Sequence, residues 1–523
     1  MPNNTSMKWE ATSKKAFQGC EWILAVFMLF KVLLQYVLIH PSYDLHRDEY
    51  LHLDQSQHLA WGFVSVPPFT SWIAWIIRAL GNDVFWVKFF PALFGALTVY
   101  YAWKMVEELG GKIYSKIIVS LAIIFSAILR INILFQPNSF EVLSWCAFHY
   151  YLIRYVKYKR PLTLYVMALI LALSFLNKYN VIFLVAGVLP ALLISKQRYL
   201  LFSRHVLFAG IVFLMMIGPN IHWQLSNGLP FFWHMRELAD TQLVNMSRSV
   251  FLTEQMLFFL NSFFVLVIAC IGSVRYQPFR PYRFILISYL ITMVLYTYLK
   301  AKGYYAMGLY PVLLAFGATY LGHITTQKVL WRGVAVAVIL LAFIPMLRLA
   351  FPTEPAWKLA QSKERFSKVR LTRWEDGREH DLPQDFADML GWRELAYKTD
   401  SAYLSLKDRE GVLVLTNNYG QAGAINYYTV NSLHAVSFNA DYLNWFPLGK
   451  PIRHVIRVME EEEDDDDPNR EQERSLCDTL VLAGKVEHPL AREKGTKIWI
   501  MKNVNGNLWP VILDEIAQHK KQE

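Results

Sequence analysis

Long apolar runs, separated by short polar breaks, fill the chain up to about residue 350. Eleven of them approach the roughly 20 mostly apolar residues that a membrane-crossing helix needs. They centre on 22–39, 84–103, 113–129, 139–156, 162–177, 181–195, 205–222, 255–274, 283–300, 305–322 and 331–350. The fifth and sixth are short and nearly fused around Asn177-Lys178-Tyr179-Asn180. The first is too long for a cleavable signal peptide, and no small-residue cleavage site follows it. After Pro352 and Pro355 the pattern changes. Phe386, Met389, Leu390, Leu395 and Tyr403 fall near helical spacing within 384–408, and Gly411 to Thr416 reads as a short strand. Asn417 to Gly423 reads as a Gly-rich turn leading into Ala424–Tyr428, and Thr479–Leu482 and Lys497–Met501 as further strands. A strand, turn and helix with glycines can cradle phosphate. The run matches neither GxGxxG nor a P-loop, so a structural turn is the better reading.

Composition sharpens this picture. Of 523 residues 54% are hydrophobic and only 18% charged, where a soluble domain is about a quarter charged. The net charge of +10 is unevenly placed: 29 basic and 13 acidic residues lie up to Phe351, and 23 basic and 29 acidic beyond it. Basic excess confined to the apolar part points to membrane topology, not to nucleic acid. Lysines and arginines set the orientation. With a cytoplasmic N-terminus, inside segments hold 18 of them, including Lys8, Lys14, Lys15, Lys104, Arg154 and Arg332. The outside segments hold nine: Arg47, Arg78, Arg130, Lys178, Arg236, Arg248, Lys300, Lys302 and Arg348. Eleven spans then leave the acidic tail outside. The expected architecture is a polytopic α-helical membrane domain over 1–351, with an outside first loop at 40–83, and an extracytoplasmic α/β domain over 352–523. Cys20, Cys146, Cys270 and Cys477 show no zinc spacing, and Cys477 alone lies in the tail. Glu460 to Asp467 are eight consecutive acidic residues, read as a solvated loop.

The first outside loop contains His46-Arg47-Asp48-Glu49-Tyr50-Leu51-His52, with no Gly or Pro from Asp48 to Ala60. Tyr50, Leu53, Gln57 and Trp61 share one helical face, which predicts a short helix lying on the membrane with its apolar side down. Pro67-Pro68 ends it, and Phe69–Leu80 follows as a second interfacial helix with Trp72 and Trp75 at headgroup depth. Asp48 and Glu49 at a helix start suit the macrodipole. They equally suit a base at the lipid–water boundary. Glu49 and His52, three residues apart, have the spacing of a divalent-metal pair that lacks a third ligand. Lys31, within the first run, is the intramembrane charge, for which Glu141 or a backbone carbonyl is the expected partner.

These residues carry a family likeness. His46-Arg47-Asp48-Glu49, His58-Leu59-Ala60-Trp61-Gly62-Phe63 and Pro67-Pro68 resemble the first-loop signature of bacterial membrane glycosyltransferases of the protein O-mannosyltransferase and aminoarabinose (lipid A) transferase group, which have the GT-C fold. The likeness continues through Gln136-Pro137-Asn138-Ser139-Phe140-Glu141, Asn177-Lys178-Tyr179, Pro219-Asn220, Trp223-Gln224, Lys302-Gly303-Tyr304-Tyr305, Tyr310-Pro311 and Asn418–Ala424. The resemblance implies transfer of a sugar from a polyprenyl phosphate to a protein, lipid or glycan acceptor at the outer face of the cytoplasmic membrane, with Asp48 as the base. Many relatives carry Asp where this chain has Glu141.

The chemistry fits. A departing lipid-linked phosphate needs cations at the outer boundary, where Lys178, Lys300 and Lys302 fall, and Tyr304 and Tyr305 add hydroxyl donors. Lysines at a helix end also simply snorkel. The site expected from sequence is therefore Asp48 and Glu49 as catalytic residues and Lys178, Lys302, Tyr304 and Tyr305 on the donor phosphate. Glu141, His52 and His222 are acceptor or metal candidates. Single displacement would invert the anomeric centre. A divalent ion is left open, and no nucleotide or organic cofactor is implied. His222, Trp223, His234 and Glu237 suit sugar stacking or an interfacial belt equally. A membrane transporter or lipid flippase is the alternative; the chain shows no internal repeat or paired broken helices in its favour.

Overall fold

The computed structural model describes residues 21–241, 247–460, 473–506 and 508–522. Lys8, Lys14, Lys15, Cys20, nearly all of the acidic run and the Glu237 side chain lie outside the described residues. Each apolar run contains helix. Among the described residues four helices are long and apolar enough to cross a membrane: Val84–Glu108, Arg204–Ser226, Gly303–Ile324 and Val329–Ala350. A fifth crossing arises if Arg248–Leu257 and Leu260–Arg275, bent by 62° to one another, count as one. The remaining runs form Glu21–Val37, Ile113–Ile124, Pro137–Tyr158, Pro161–Asn177, Val181–Leu193 and Arg283–Tyr298. Several of these are short, and Pro137–Tyr158 interrupts its apolar run with Asn138, Glu141 and His149. The run at 305–322 begins as a 3₁₀ turn, Gly303–Leu309, and becomes an α-helix at Tyr310, with Pro311 in its first turn.

The chain forms two compact units, both interleaved along the sequence. One draws on Met1–Leu38, Phe85–Ile221 and Met246–Phe351; the other on Ile39–Val84, His222–Asn245 and Pro352–Glu523. The first unit is a helical bundle around Trp103, Trp145, Tyr310 and many Ile, Leu and Val side chains. Carboxylates staple its helices: Glu107 binds Lys104 at 3.0 Å and Lys116 at 2.7 Å, and Glu108 binds Arg154 at 3.3 Å and Lys157 at 3.0 Å. Lys31 is fully buried and donates to the Gln35 side chain at 2.7 Å. Its partner is thus its own helix, not Glu141.

The second unit holds a five-stranded sheet, β1 (Val412–Thr416), β2 (Ala435–Ser437), β3 (His454–Met459), β4 (Cys477–Lys485) and β5 (Lys497–Val504), in the order β2-β1-β3-β5-β4. The β1/β2 and β1/β3 pairs are parallel, and β5 runs antiparallel to β3 and β4. Leu413, Leu415, Val436, Val455 and Met501 pack against Leu508, Ile512 and Ile516 of the last helix, Leu508–Gln522.

Three expectations change here. The helix expected over 384–408 is two, Gln384–Ala387 and Trp392–Leu404. Gly391 breaks it at φ 82°, where a Cβ would fall 2.9 Å from Ala491 Cβ. The Gly-rich turn is helix from Tyr419 to Tyr428, its N-terminus capped by Asn418, whose side chain accepts from Gln421 N. Its glycines serve contact: a Cβ on Gly423 would meet Tyr50 Cβ at 2.6 Å and the Tyr442 hydroxyl at 2.8 Å. The first-loop helix spans only Arg47–Gln55, and Glu49 through Gln55 are all buried. Its apolar side faces the Tyr419–Tyr428 helix and not a lipid surface, and Gln57 and Trp61 fall beyond its end. Phe69–Ala79 is the expected second helix, with Trp75 and Ile76 exposed.

Candidate functional site

In the bundle, the four residues expected at a donor phosphate and Glu141, expected as an acceptor or metal candidate, come from three sequence-distant segments. Glu141 lies one turn into Pro137–Tyr158. Its Oε1 accepts from Asn180 Nδ2 at 2.5 Å, and its Oε2 lies 3.3 Å from Lys178 Nζ. Lys178 follows the last turn of Pro161–Asn177, where extended backbone throws its side chain across the bundle. Its Nζ also donates to Asn138 Oδ1 at 2.8 Å, and it lies 4.4 Å and 5.1 Å over the rings of Tyr305 and Tyr304. Lys302, just before the 3₁₀ turn, is close enough for its charge to oppose that of Lys178. Asn180 completes the set. It donates to the Tyr305 carbonyl at 3.1 Å and accepts the Tyr296 hydroxyl at 2.8 Å.

A buried carboxylate is costly unless paired and hydrogen-bonded. Lys178 and Asn180 supply that pairing, and Glu141 in turn fixes where the ammonium sits. The tyrosine faces hold the same cation through their ring quadrupoles. The result is an ammonium group fixed by a carboxylate and two aromatic faces, a positive charge that can attract a phosphate oxyanion. Below it, Gln255 of the bent pair donates to the Gly303 carbonyl at 3.1 Å and accepts the Tyr310 hydroxyl at 2.9 Å. Asn138, Asn180 and Gln255 were not expected as site residues. Their side chains carry no charge pattern, and only the fold aims them.

In the other unit the acidic pair divides its labour. His46 and Glu49 form a capping box: Glu49 Oε2 accepts from His46 N at 2.7 Å, and His46 Nδ1 accepts from Asp48 N at 3.2 Å. Glu49 is fully buried. Asp48 points elsewhere, its side chain 36% exposed. Its Oδ1 accepts the Tyr419 hydroxyl at 2.7 Å, and its Oδ2 lies 3.9 Å from His46 Nδ1. The Arg47 guanidinium lies 4.5 Å over the Tyr419 ring. Burial alone would raise the Asp48 carboxyl; the charges of His46 and Arg47, the Tyr419 hydrogen bond and His52 outweigh it and hold the group below its ordinary value. Asp48 is thus an ionised carboxylate on a rigid helix start.

The donor set does not fit a metal. Glu49 is engaged by the backbone of His46, His52 Nδ1 lies 3.0 Å from Gln55 Oε1, and Glu141 is held by Lys178 and Asn180. Among the described residues no three His, Cys, Asp or Glu side chains converge. His222 is exposed and His234 half-buried. Trp223 lies against Gly62, where a Cβ would fall 2.3 Å from the indole, so two of the sequence motifs meet.

Three further carboxylates, not expected from sequence, tie the first loop to residues beyond 352. Asp441 accepts from Val64 N at 2.7 Å, Gln55 Nε2 at 2.8 Å and Ser65 Oγ at 3.0 Å. Asp54 Oδ2 accepts from Tyr442 at 2.6 Å and Asn426 at 2.7 Å. Asp44 accepts from Trp392 N at 3.0 Å and binds Arg393 at 3.0 Å. Burial pushes Asp54 up to about 6, against these hydrogen bonds and Arg78.

Residues 65–223 match the family of dolichyl-phosphate-mannose-protein mannosyltransferases. A lipid A galacturonosyltransferase, RgtD of Rhizobium johnstonii, is 26% identical over 224 residues, which make up 42% of this chain. The chain spans about half the length of that curated relative, 46%. Among solved structures, ArnT from Cupriavidus metallidurans in the apo state superposes with a TM-score of 0.65 at 13% identity, covering 93% of this chain and 98% of that one. The same protein bound to undecaprenyl phosphate gives 0.60 at 13%, with 93% and 99% covered. Over residues 65–223 in sequence, and over nearly its whole length in fold, the chain resembles the polytopic glycosyltransferases of the mannosyltransferase and aminoarabinose-transferase group.

Proposed function

We propose that this protein is a GT-C glycosyltransferase that moves a sugar from a polyprenyl phosphate to an acceptor at the outer face of the cytoplasmic membrane. The eleven apolar helices are its spans, with the N-terminus cytoplasmic and the sheet domain extracytoplasmic. The observation that carries the reading is the bundle cluster. Lys178 pairs with Glu141 and lies over the rings of Tyr304 and Tyr305, with Lys302 near enough for its charge to act on Lys178, in a fold shared with a protein that was solved holding undecaprenyl phosphate. A cation cluster of this kind offsets the charge that grows on a departing phosphate. Asp48, kept ionised, takes the acceptor's proton as that nucleophile attacks the anomeric carbon. Glu49 supports it through the capping box and takes no proton itself. No step runs through a metal.

The test is turnover by the full chain in proteoliposomes. Undecaprenyl-phosphate-linked galacturonic acid, 4-amino-4-deoxyarabinose and mannose are the donors, lipid A is the acceptor, and release of undecaprenyl phosphate is followed. At least one donor is consumed, and Asp48→Asn slows its turnover by about 10²–10⁴-fold, the usual worth of a general base. Normal turnover by a folded Asp48→Asn protein removes the role given to Asp48.

A further inference from the structure

The sheet domain also contributes to Asp48, and we infer that Tyr419 is a positioning residue of the transfer reaction, holding the Asp48 carboxylate in its working orientation through the hydroxyl–Oδ1 hydrogen bond. This rests on the role proposed above for Asp48.

Four observations carry it. The contact is short, 2.7 Å, and joins residues 371 positions apart. Asp48 is also the member of the acidic pair that the capping box does not consume, since Glu49 closes that box. Tyr419 is itself tightly placed. It is the first residue of its helix; the preceding Asn418 donates from Nδ2 to Glu460 at 2.6 Å and to Glu493 at 3.2 Å, and accepts from Gln421 N at 2.9 Å. Finally, the ring is covered by Arg47, the neighbour of Asp48 in sequence, and Gly420 brings the helix in so closely that a Cβ would lie 3.3 Å from Arg47 Cβ. A tyrosine needed only for packing would not require its hydroxyl to meet the carboxylate. A base that must be held within a fraction of an ångström of its working geometry needs such support.

A hydrogen bond to a charged group makes the expected effect readable in rate. In the proteoliposome assay with the same three donors, Tyr419→Phe lowers kcat by about 10- to 100-fold and leaves the donor KM within about twofold. Tyr419→Phe placed on Asp48→Asn costs nothing further, because the group it serves is gone. Equal loss in the two backgrounds, a rise in KM with kcat intact, or no loss at all overturns the positioning role while Asp48 keeps its own. If instead Asp48→Asn turns over normally, or the unaltered chain consumes none of the donors, the reading beneath the inference fails. Tyr419→Trp, which restores bulk but not the hydroxyl, is expected to behave like Tyr419→Phe; recovery of rate with Trp would assign Tyr419 to packing instead.

Discussion

At the scale of single residues, the most telling groups are carboxylates that share a type but not a task. Asp48 is kept charged by neighbouring cations and a phenol, whereas Asp54 is pushed up to about 6 by burial. Because the Asp54 value is raised above 3.8, the folded state favours its neutral form. That contribution to stability is fully present below about pH 4 and is lost as pH rises to about 6. The cost above that is on the order of 3 kcal/mol, at 1.36 kcal/mol per unit. Both strong donors to Asp54 meet the same oxygen, Oδ2, which an amide oxygen can replace. Asp54→Asn is therefore expected to raise the thermal midpoint of the full chain at pH 7, with the gap closing toward pH 4; an unchanged gap across that range contradicts the assignment. The sequence showed Lys178, Glu141 and the Lys302–Tyr305 segment as candidates because charge is conspicuous in an apolar chain. It gave no sign of Asp54 or Asp441, since an aspartate in a polar loop looks ordinary until its distant partners are known.

At the scale of elements, the lesson lies in the Tyr419–Tyr428 helix. Glycines at 420 and 423, next to a strand, look like a loop that receives phosphate. They belong instead to a helix that must pass close to another. Local propensity favours alanine over glycine in a helix by about 1 kcal/mol. At Gly420 the nearest atoms to an added Cβ are Trp392 Cη2 at 3.1 Å, Asn418 Oδ1 at 3.2 Å and Arg47 Cβ at 3.3 Å, so Gly420→Ala needs shifts of a few tenths of an ångström that its helix-propensity gain of about 1 kcal/mol offsets. At Gly423 the obstacle is Tyr50 Cβ at 2.6 Å, and overpacking costs about 1–3 kcal/mol. Gly423→Ala should therefore destabilise the packing of residues 39–84 and speed their limited proteolysis, where Gly420→Ala does not. The first-loop helix was misread for the same reason. Its apolar stripe is real, but a stripe names no partner, and a membrane and a second helix satisfy it equally well.

At the scale of the whole molecule, the hydrophobic pattern located the long helices of the bundle but not Arg248–Leu257, which precedes the run at 255–274, and basic residues supplied a direction for the chain. What length alone did not supply was the count of crossings, since among the described residues four helices pass by length and apolarity, or five with the bent pair. Alkaline phosphatase fused after Gly62 or at the C-terminal end is expected to be active. The same reporter placed between Lys196 and Arg204 is expected to be silent. Activity at that last position would invert the topology and with it the face on which transfer occurs. The comparisons agree with the motifs on fold. They leave the sugar and the acceptor to the assay.

The way the two units share the chain also bears on its synthesis. Residues 39–84 leave the ribosome early, yet the groups that satisfy Asp44, Asp54 and Gln55 come from beyond 352. At the usual 5–20 residues per second, the loop waits on the order of tens of seconds with buried-type carboxylates still unmatched. A stop codon near the end of the bundle would therefore do more than delete a domain. It would leave the segment bearing Asp48 permanently orphaned, a substrate for quality-control proteases and not a minimal enzyme.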